Sequence, residues 1–161
     1  MYTITVLAVG RLKDKFYAEA AAEYLKRLQA YAKTQVVEIR AQDLPSDDPA
    51  DAEVQKALQK EGEEILSKIP AGAFVVALCI EGKLCSSEDL AGLFADAGNA
   101  GKSQVVFVIG GSYGLSDAVK KRADLRLSMS RMTFPHRLAR VMLLEQIYRG
   151  FKILRGEKYH K

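Results

Sequence analysis

A chain of 161 residues, 48% hydrophobic and 27% charged, has the size of one ordinary domain. It can bury a core without disulfides or metal and is too apolar for wholesale disorder. The opening MYTITVLAVG is too short an apolar run, and lacks the basic start, for a signal peptide; no segment approaches the roughly 18 apolar residues of a membrane span, so a soluble, cytoplasmic protein is expected. The net charge of +4 is uneven: Lys120 to Lys161 holds twelve Lys and Arg against three acidic residues, a net +9, which leaves −5 for the remainder. That basic end is either a surface that neutralises phosphates or a solvated helix face with a basic tail.

Thr3–Val9 alternates in polarity, is β-branched and reads as a strand ending at Gly10. Lys15–Tyr31 puts Tyr17, Ala20, Ala21, Tyr24, Leu28 and Tyr31 on one helical face, and Gln35–Arg40 reads as a short second strand. Residues 42–51 (QDLPSDDPAD) form a polar, acidic loop; Asp48 as N-cap and Pro49 at the first helical position predict a helix running to about Ile69. Ala73–Ile80 is a continuous apolar run between Gly72 and Gly82, the pattern of a strand buried on both faces. Ser86 and Asp89 carry a capping-box signature for a helix to about Ala97.

Val105–Ile109 is a second fully apolar strand, stopped by Gly110-Gly111. Ser116 can cap a short helix through Arg122, and Leu125–Met129 reads as the last strand. Beyond Pro135, Arg137–Leu154 is a helix with Val141, Leu144, Tyr148, Phe151 and Leu154 on its inner stripe, and with Glu145 and Arg149 spaced for an i,i+4 ion pair. Strands alternating with helices predict a single α/β domain over residues 1–161, its sheet mostly parallel and flanked by helices. Ligands bind at the carboxyl ends of such strands. Three loops are therefore candidates: Ile80–Lys83, Gly110–Ser116 and Met129–His136, all following the most apolar and hence central strands.

The run Gly110-Gly111-Ser112-Tyr113-Gly114 lies between a strand and a helix, where glycines allow a tight turn and close approach of backbone N–H groups to a ligand. It is not G-x-G-x-x-G, and read alone it serves equally as a βα turn with no ligand. Gly101-Lys102-Ser103 mimics the end of a P-loop but precedes a strand, and Asp96 stands where the first glycine belongs, so an NTPase is rejected. Ser128–His136 (SMSRMTFPH) can offer backbone donors and acceptors to an adenine edge between apolar walls, or be a connector ended by Pro135. The tail from Arg149 to Lys161 interleaves cations with aromatics: Tyr159 and His160 can stack on a base, or the segment is a frayed terminus. Cys79 and Cys85 make no CxxC pair and His136 and His160 lie far apart, so no metal is expected. No nucleophilic triad or carboxylate pair recommends hydrolysis.

Several stretches together are family-specific where each alone is not: Leu7-Ala8-Val9-Gly10, Glu23-Tyr24, Lys60-Glu61-Gly62, Phe107-Val108-Ile109-Gly110-Gly111, Gly114-Leu115, Met132-Thr133-Phe134-Pro135-His136, Arg140-Val141, Glu145-Gln146-Ile147-Tyr148-Arg149 and Tyr159-His160-Lys161. Over essentially its whole length the chain resembles the SPOUT superfamily, in its minimal branch of bacterial 23S rRNA pseudouridine N3-methyltransferases. The resemblance implies an α/β domain with a C-terminal trefoil knot, an exception to the rule against threaded chains. It implies a homodimer that binds S-adenosylmethionine at Leu78, Gly110, Gly111, Met129, Ser130, Arg131, Met132, Thr133 and Phe134. The substrate implied is a pseudouridine of 23S rRNA within the assembled ribosome, with no membrane partner.

His136, Arg140, Arg149, Tyr159 and His160 are then the expected substrate-orienting group, the tail of one subunit completing the site of the other, with His160 preferred as proton acceptor because imidazole titrates near neutrality. A related methyltransferase acting on tRNA or another rRNA position is the alternative enzyme. A non-catalytic RNA-binding module is the alternative of another class, and cofactor binding separates the two.

Overall fold

The computed structural model describes all of residues 1–161. In chain order it contains β1 (Tyr2–Val9), α1 (Lys15–Leu28), β2 (Ala32–Ile39), α2 (Asp51–Ser67), β3 (Phe74–Leu84), α3 (Ser87–Asn99), β4 (Gln104–Ile109), α4 (Asp117–Arg122), β5 (Leu125–Ser128) and α5 (His136–Leu154). The five strands make one all-parallel sheet in the order β2-β1-β4-β3-β5. Successive residues of a strand face opposite sides, and the apolar runs of β1 and β4 divide accordingly. Ile4, Val6, Val105 and Phe107 meet Leu28, Phe94, Leu144 and Phe151 under α1, α3 and α5. Leu7, Val9, Val106 and Val108 meet Ile65, Leu115 and Val119 under α2 and α4. The unbroken apolar runs predict strands buried on both faces; β4 and Val75–Ala77 of β3 are so, whereas Ile80, at the end of the β3 run, is 73% exposed. No helix is long and apolar enough to cross a membrane.

Two details fix the packing of α5, the longest helix. The Phe94 and Phe151 rings stack with centroids 4.5 Å apart and planes 10° from parallel. Gly150 permits this closeness, because a Cβ there would lie 3.0 Å from the Phe94 ring. The Tyr2 hydroxyl donates to the Phe94 carbonyl at 2.7 Å, tying the start of β1 to α3.

Most predicted boundaries hold to within three residues, and the capping box of α3 is present in full: Ser86 Oγ accepts from Asp89 N–H at 3.0 Å and Asp89 accepts from Ser86 N–H at 2.9 Å. Three expectations are corrected. α2 opens at Asp51 and not beside Pro49, because the Glu53 carboxylate accepts the Ala50 N–H at 3.1 Å and makes Ala50 the cap in place of Asp48. β3 does not stop at Ile80 but continues to Leu84 through a register shift between Leu78 and Lys83. Gly82 makes that continuation possible, since a Cβ there would stand 2.8 Å from backbone atoms of Arg126 in β5. Finally, β5 is an edge strand, so the loop after it leaves from the side of the sheet and not its centre.

One buried carboxylate sits outside both apolar cores. Glu61 of α2 is 8% exposed and accepts the backbone N–H of Gln42 at 2.8 Å, pinning the start of the acidic loop. Its neighbour Gly62 lies against Ser116, where a Cβ would collide with the hydroxyl that caps α4. Burial pushes the Glu61 carboxyl above its ordinary range and the Gln42 N–H offsets only part of this. A raised value in the folded state means stability greatest at low pH and lost as pH rises through that value. Glu61→Gln, which keeps an acceptor without the charge, is expected to match the parent in thermal melts at pH 4 and to melt higher at pH 8. Glu61→Ala abandons a buried N–H and should cost about 1–3 kcal/mol.

Candidate functional site

The carboxyl ends of β3, β4 and β5 enclose a cleft of about 850 Å³. Its floor is the Gly110–Gly114 turn, which closes on itself through a 3.1 Å bond from Gly114 N–H to the Gly111 carbonyl. Gly114 has φ +81°, a left-handed conformation that glycine adopts without strain. Gly110 has no room for a side chain, because a Cβ would run into the Gly114 carbonyl. Gly111 is less confined, since a Cβ there would only reach van der Waals contact with Val9 of β1 at 3.5 Å. Beyond the turn, Ser116 caps α4 by accepting the Val119 N–H at 3.3 Å.

The far wall is the segment between β5 and α5. Ser128 Oγ donates to the Ser130 carbonyl at 3.0 Å, and Ser130 Oγ accepts the Met132 N–H at 3.0 Å, so two hydroxyls hold its shape from within. The peptide N–H groups of Arg131, Thr133 and Phe134 make no intramolecular hydrogen bond. Unpaired backbone donors beside apolar surface from Leu78, Met129, Met132 and Phe134 are the groups that an adenine or an amino-acid carboxylate requires. The arrangement therefore fits S-adenosylmethionine. Of the nine residues expected to hold it, eight line the cleft; Arg131 lies outside its lining, exposed to solvent.

Glu81 and Lys120 also line the cleft and are 2.6 Å apart. The Lys120 ammonium holds the Glu81 carboxyl below its ordinary value, and Glu81 raises Lys120 in return. Glu81 belonged to a candidate loop, but nothing in the sequence connected it to Lys120, since the pairing exists only once β3 and α4 are side by side.

The five residues expected to orient substrate fall into three places. His136, at the first turn of α5, lines the cleft, and its imidazole is pushed below the ordinary histidine value by burial first and by the Arg137 and Arg140 charges next. Arg140 is 3% exposed and points inward, donating to Glu38 Oε2 at 2.7 Å and to the Gly10 carbonyl at 3.0 Å. Burial works to raise the Glu38 carboxyl, but the Arg140 and Leu12 N–H hydrogen bonds outweigh it and hold the group below its ordinary range. With its donors committed inside, Arg140 acts as a positioning residue for α5 and the β1 and β2 ends.

Arg149, Tyr159 and His160 form a separate cluster along α5. The predicted ion pair is present, with Arg149 Nε donating to Glu145 Oε1 at 2.9 Å. The Tyr159 hydroxyl donates to the same oxygen at 3.2 Å, and its ring packs edge-on against Tyr148 at 4.9 Å. The His160 ring bridges Arg149 at 3.2 Å and Glu88 at 2.6 Å. None of the three lines the cleft of their own chain. No group of three or more His, Cys, Asp and Glu side chains is placed to hold a metal ion.

A family model described as "Predicted SPOUT methyltransferase" matches residues 2–160. The chain is 54% identical over 160 residues to "Ribosomal RNA large subunit methyltransferase H" of Pelotomaculum thermopropionicum, covering 99% of each chain. It is 52% identical over 158 residues to the protein of that name from Bacillus pumilus, covering 98% of this chain and 99% of that one. Among solved structures, a probable methylase family protein from Haemophilus influenzae Rd KW20 superposes with a TM-score of 0.55 at 13% identity, over 99% of this chain and 71% of that one, a likeness of fold alone.

The collision at Gly110 gives a direct test of the cleft. Gly110→Ala should leave the fold intact by circular dichroism yet displace the turn, weakening S-adenosylmethionine binding by at least tenfold in isothermal titration, the equivalent of about 1.4 kcal/mol.

Proposed function

Since this chain belongs to the SPOUT methyltransferase family, we propose that it transfers a methyl group from S-adenosylmethionine to N3 of a pseudouridine in 23S rRNA of the assembled ribosome. The observation that carries the reading is the near-complete, half-identical match to relatives named for large-subunit ribosomal RNA methylation. It is supported by a cleft whose unpaired backbone donors suit that cofactor. When bound, S-adenosylmethionine supplies an electrophilic methyl group. The chain's own work is to align the substrate nitrogen with it and to receive the N3 proton, a task of geometry and acid–base chemistry that needs no protein nucleophile.

Cleft and tail cluster are separate on one chain, and this supports a homodimer in which Arg149, Tyr159 and His160 of one subunit serve the cleft of the other. The trefoil knot belongs to the same reading. In its favour, the 129–135 segment leaves an edge strand and returns to share a cleft with the Gly110–Gly114 turn before α5 begins. His136 is the histidine that lines the cleft of its own chain, and its lowered value favours the neutral ring, the form that can accept a proton. It therefore displaces His160 as the proposed proton acceptor, while His160 remains an orienting residue.

Two measurements test this. Labelled S-adenosylmethionine incubated with ribosomes from a strain lacking the enzyme should mark one nucleotide of 23S rRNA, with far less transfer to protein-free transcript; equal labelling of both would remove the assembled ribosome from the reading. In the pH profile of single-turnover methyl transfer, a lowered His136 value predicts that the acidic limb falls off below the ordinary histidine value of 6.5. His136→Gln should lower the rate about 100-fold and abolish that limb; an unchanged profile rejects the role.

A further inference from the structure

The basic C-terminal third is not the only cationic surface at the carboxyl edge of the sheet. The loop from β1 into α1, Arg11-Leu12-Lys13-Asp14-Lys15-Phe16-Tyr17, lies in the acidic part of the chain yet carries three cations and one acid. It is fastened to the start of α5 and the end of β2, one point each. Asp14 accepts from Arg137 at 3.2 Å, one residue beyond His136, and Leu12 N–H donates to Glu38 Oε2 at 3.0 Å, the carboxylate that also holds Arg140. Asp14 is thereby neutralised, while Arg11 and Lys13 stand exposed and Lys15 makes only a 3.8 Å contact to Glu19 with both side chains in solvent.

On this charged loop sits an aromatic surface the fold does not need. Phe16 is 65% exposed, among the most exposed large apolar side chains of the molecule, and its ring touches that of Tyr17 at 4.3 Å with planes 51° apart. An exposed phenylalanine in the first turn of a helix gains nothing from its own core. A ring held by a neighbouring ring and flanked by free cations is instead the pairing that single-stranded nucleic acid binds: the base stacks on the π-face and the cations meet the phosphates.

We propose that Phe16, with Arg11, Lys13 and Lys15, is an RNA-binding platform that stacks an unpaired nucleotide of the substrate outside the methyl-transfer cleft. The inference rests on the rRNA substrate proposed above and extends it to a second part of the surface. The committed pairs explain its position: Arg137 and Arg140 clamp the loop to the start of α5, so a nucleotide held there has a fixed relation to His136.

The test uses the full chain and needs no methyl transfer as its only readout. Phe16→Ala should weaken co-sedimentation with ribosomes and raise KM for ribosomes roughly tenfold, the scale of one lost base stack. Phe16→Trp should retain binding, and the paired change Arg11→Ala with Lys13→Ala should flatten the salt dependence of binding. S-adenosylmethionine affinity, melting temperature and oligomeric state by analytical ultracentrifugation should stay as in the parent. Ribosome binding by Phe16→Ala equal to the parent's overturns this inference and leaves the methyltransferase reading standing. Altered oligomeric state in Phe16→Ala also overturns it, assigning the ring to contact with a second copy. A parent protein that neither binds nor methylates ribosomes overturns both.

Discussion

The constraint on which the carboxyl edge depends is the commitment of Arg140. Its guanidinium leaves water to donate to the Gly10 carbonyl and to Glu38, and in doing so ties the start of α5 to the ends of the paired strands β1 and β2. β1 ends at Gly10, whose φ of +94° turns the chain outward and leaves its carbonyl free to accept. β2 ends beside Glu38, and α5 begins one turn before Arg140. A buried charge is costly unless it is paired and hydrogen-bonded, so the bonds to Glu38 and the Gly10 carbonyl hold this arrangement in place. The first turn of α5, with His136 and the end of the 129–135 segment, is therefore registered against the sheet by polar chemistry, while the rest of the helix is registered by the Phe94–Phe151 stack.

That division of labour explains how one small sheet makes a binding site. The two apolar cores fix the strands from both sides, and the cleft opens beyond the carboxyl ends of β3, β4 and β5. What fills the space are segments that cannot be regular: a glycine turn with no room for a Cβ at Gly110, and a serine-shaped loop whose hydroxyls satisfy some backbone groups and leave others open. The open N–H groups are left available to a ligand that enters the cleft. A polar, flat-edged ligand is what such a wall is complementary to. Glu61 and Gly62 extend the same logic outward, since the first pins the loop after β2 and the second sets how closely α2 approaches Ser116 and the turn beyond it.

Much of this was legible in the chain because it is local. Alternation marked β1, unbroken apolar runs marked β3 and β4 as buried on both faces, and Ser86 and Ser116 announced their helices through side-chain caps that need only three residues of context. Resemblance named nine residues for a cofactor, and eight of the nine meet at one cleft. What stayed hidden depends on partners far along the chain. The edge position of β5 follows from pairing with β3 instead of β4, which no pattern within Leu125–Ser128 encodes. The run of β3 past Ile80 depends on how close β5 comes to Gly82. Arg140, expected from the sequence to orient substrate, is seen to be committed inward only when Glu38, 102 positions away, stands beside it. Asp48 and Pro49 carry a helix-start pattern, but the reach of the Glu53 carboxylate back to the Ala50 N–H decides the cap.

The tail shows how a terminus can be ordered and still be available. Its aromatic anchor is sound: Tyr159 packs on Tyr148 and shares the Glu145 oxygen with Arg149. Its last contact is of another kind, since Glu88, which meets His160, is 61% exposed at its side chain, and exposed pairs of this sort contribute little to stability. A side chain held at its root by packing and at its tip by a solvent-screened pair can exchange that tip for a phosphate or a base at small cost. The root matters as much as the tip, because Tyr148 and Phe151 lie on the face of α5 that also packs into the core, so the tail's direction is inherited from the same helix that Arg140 sets against the sheet. Cleft and tail are thus two ends of one rigid element, and whatever fixes the start of α5 fixes both.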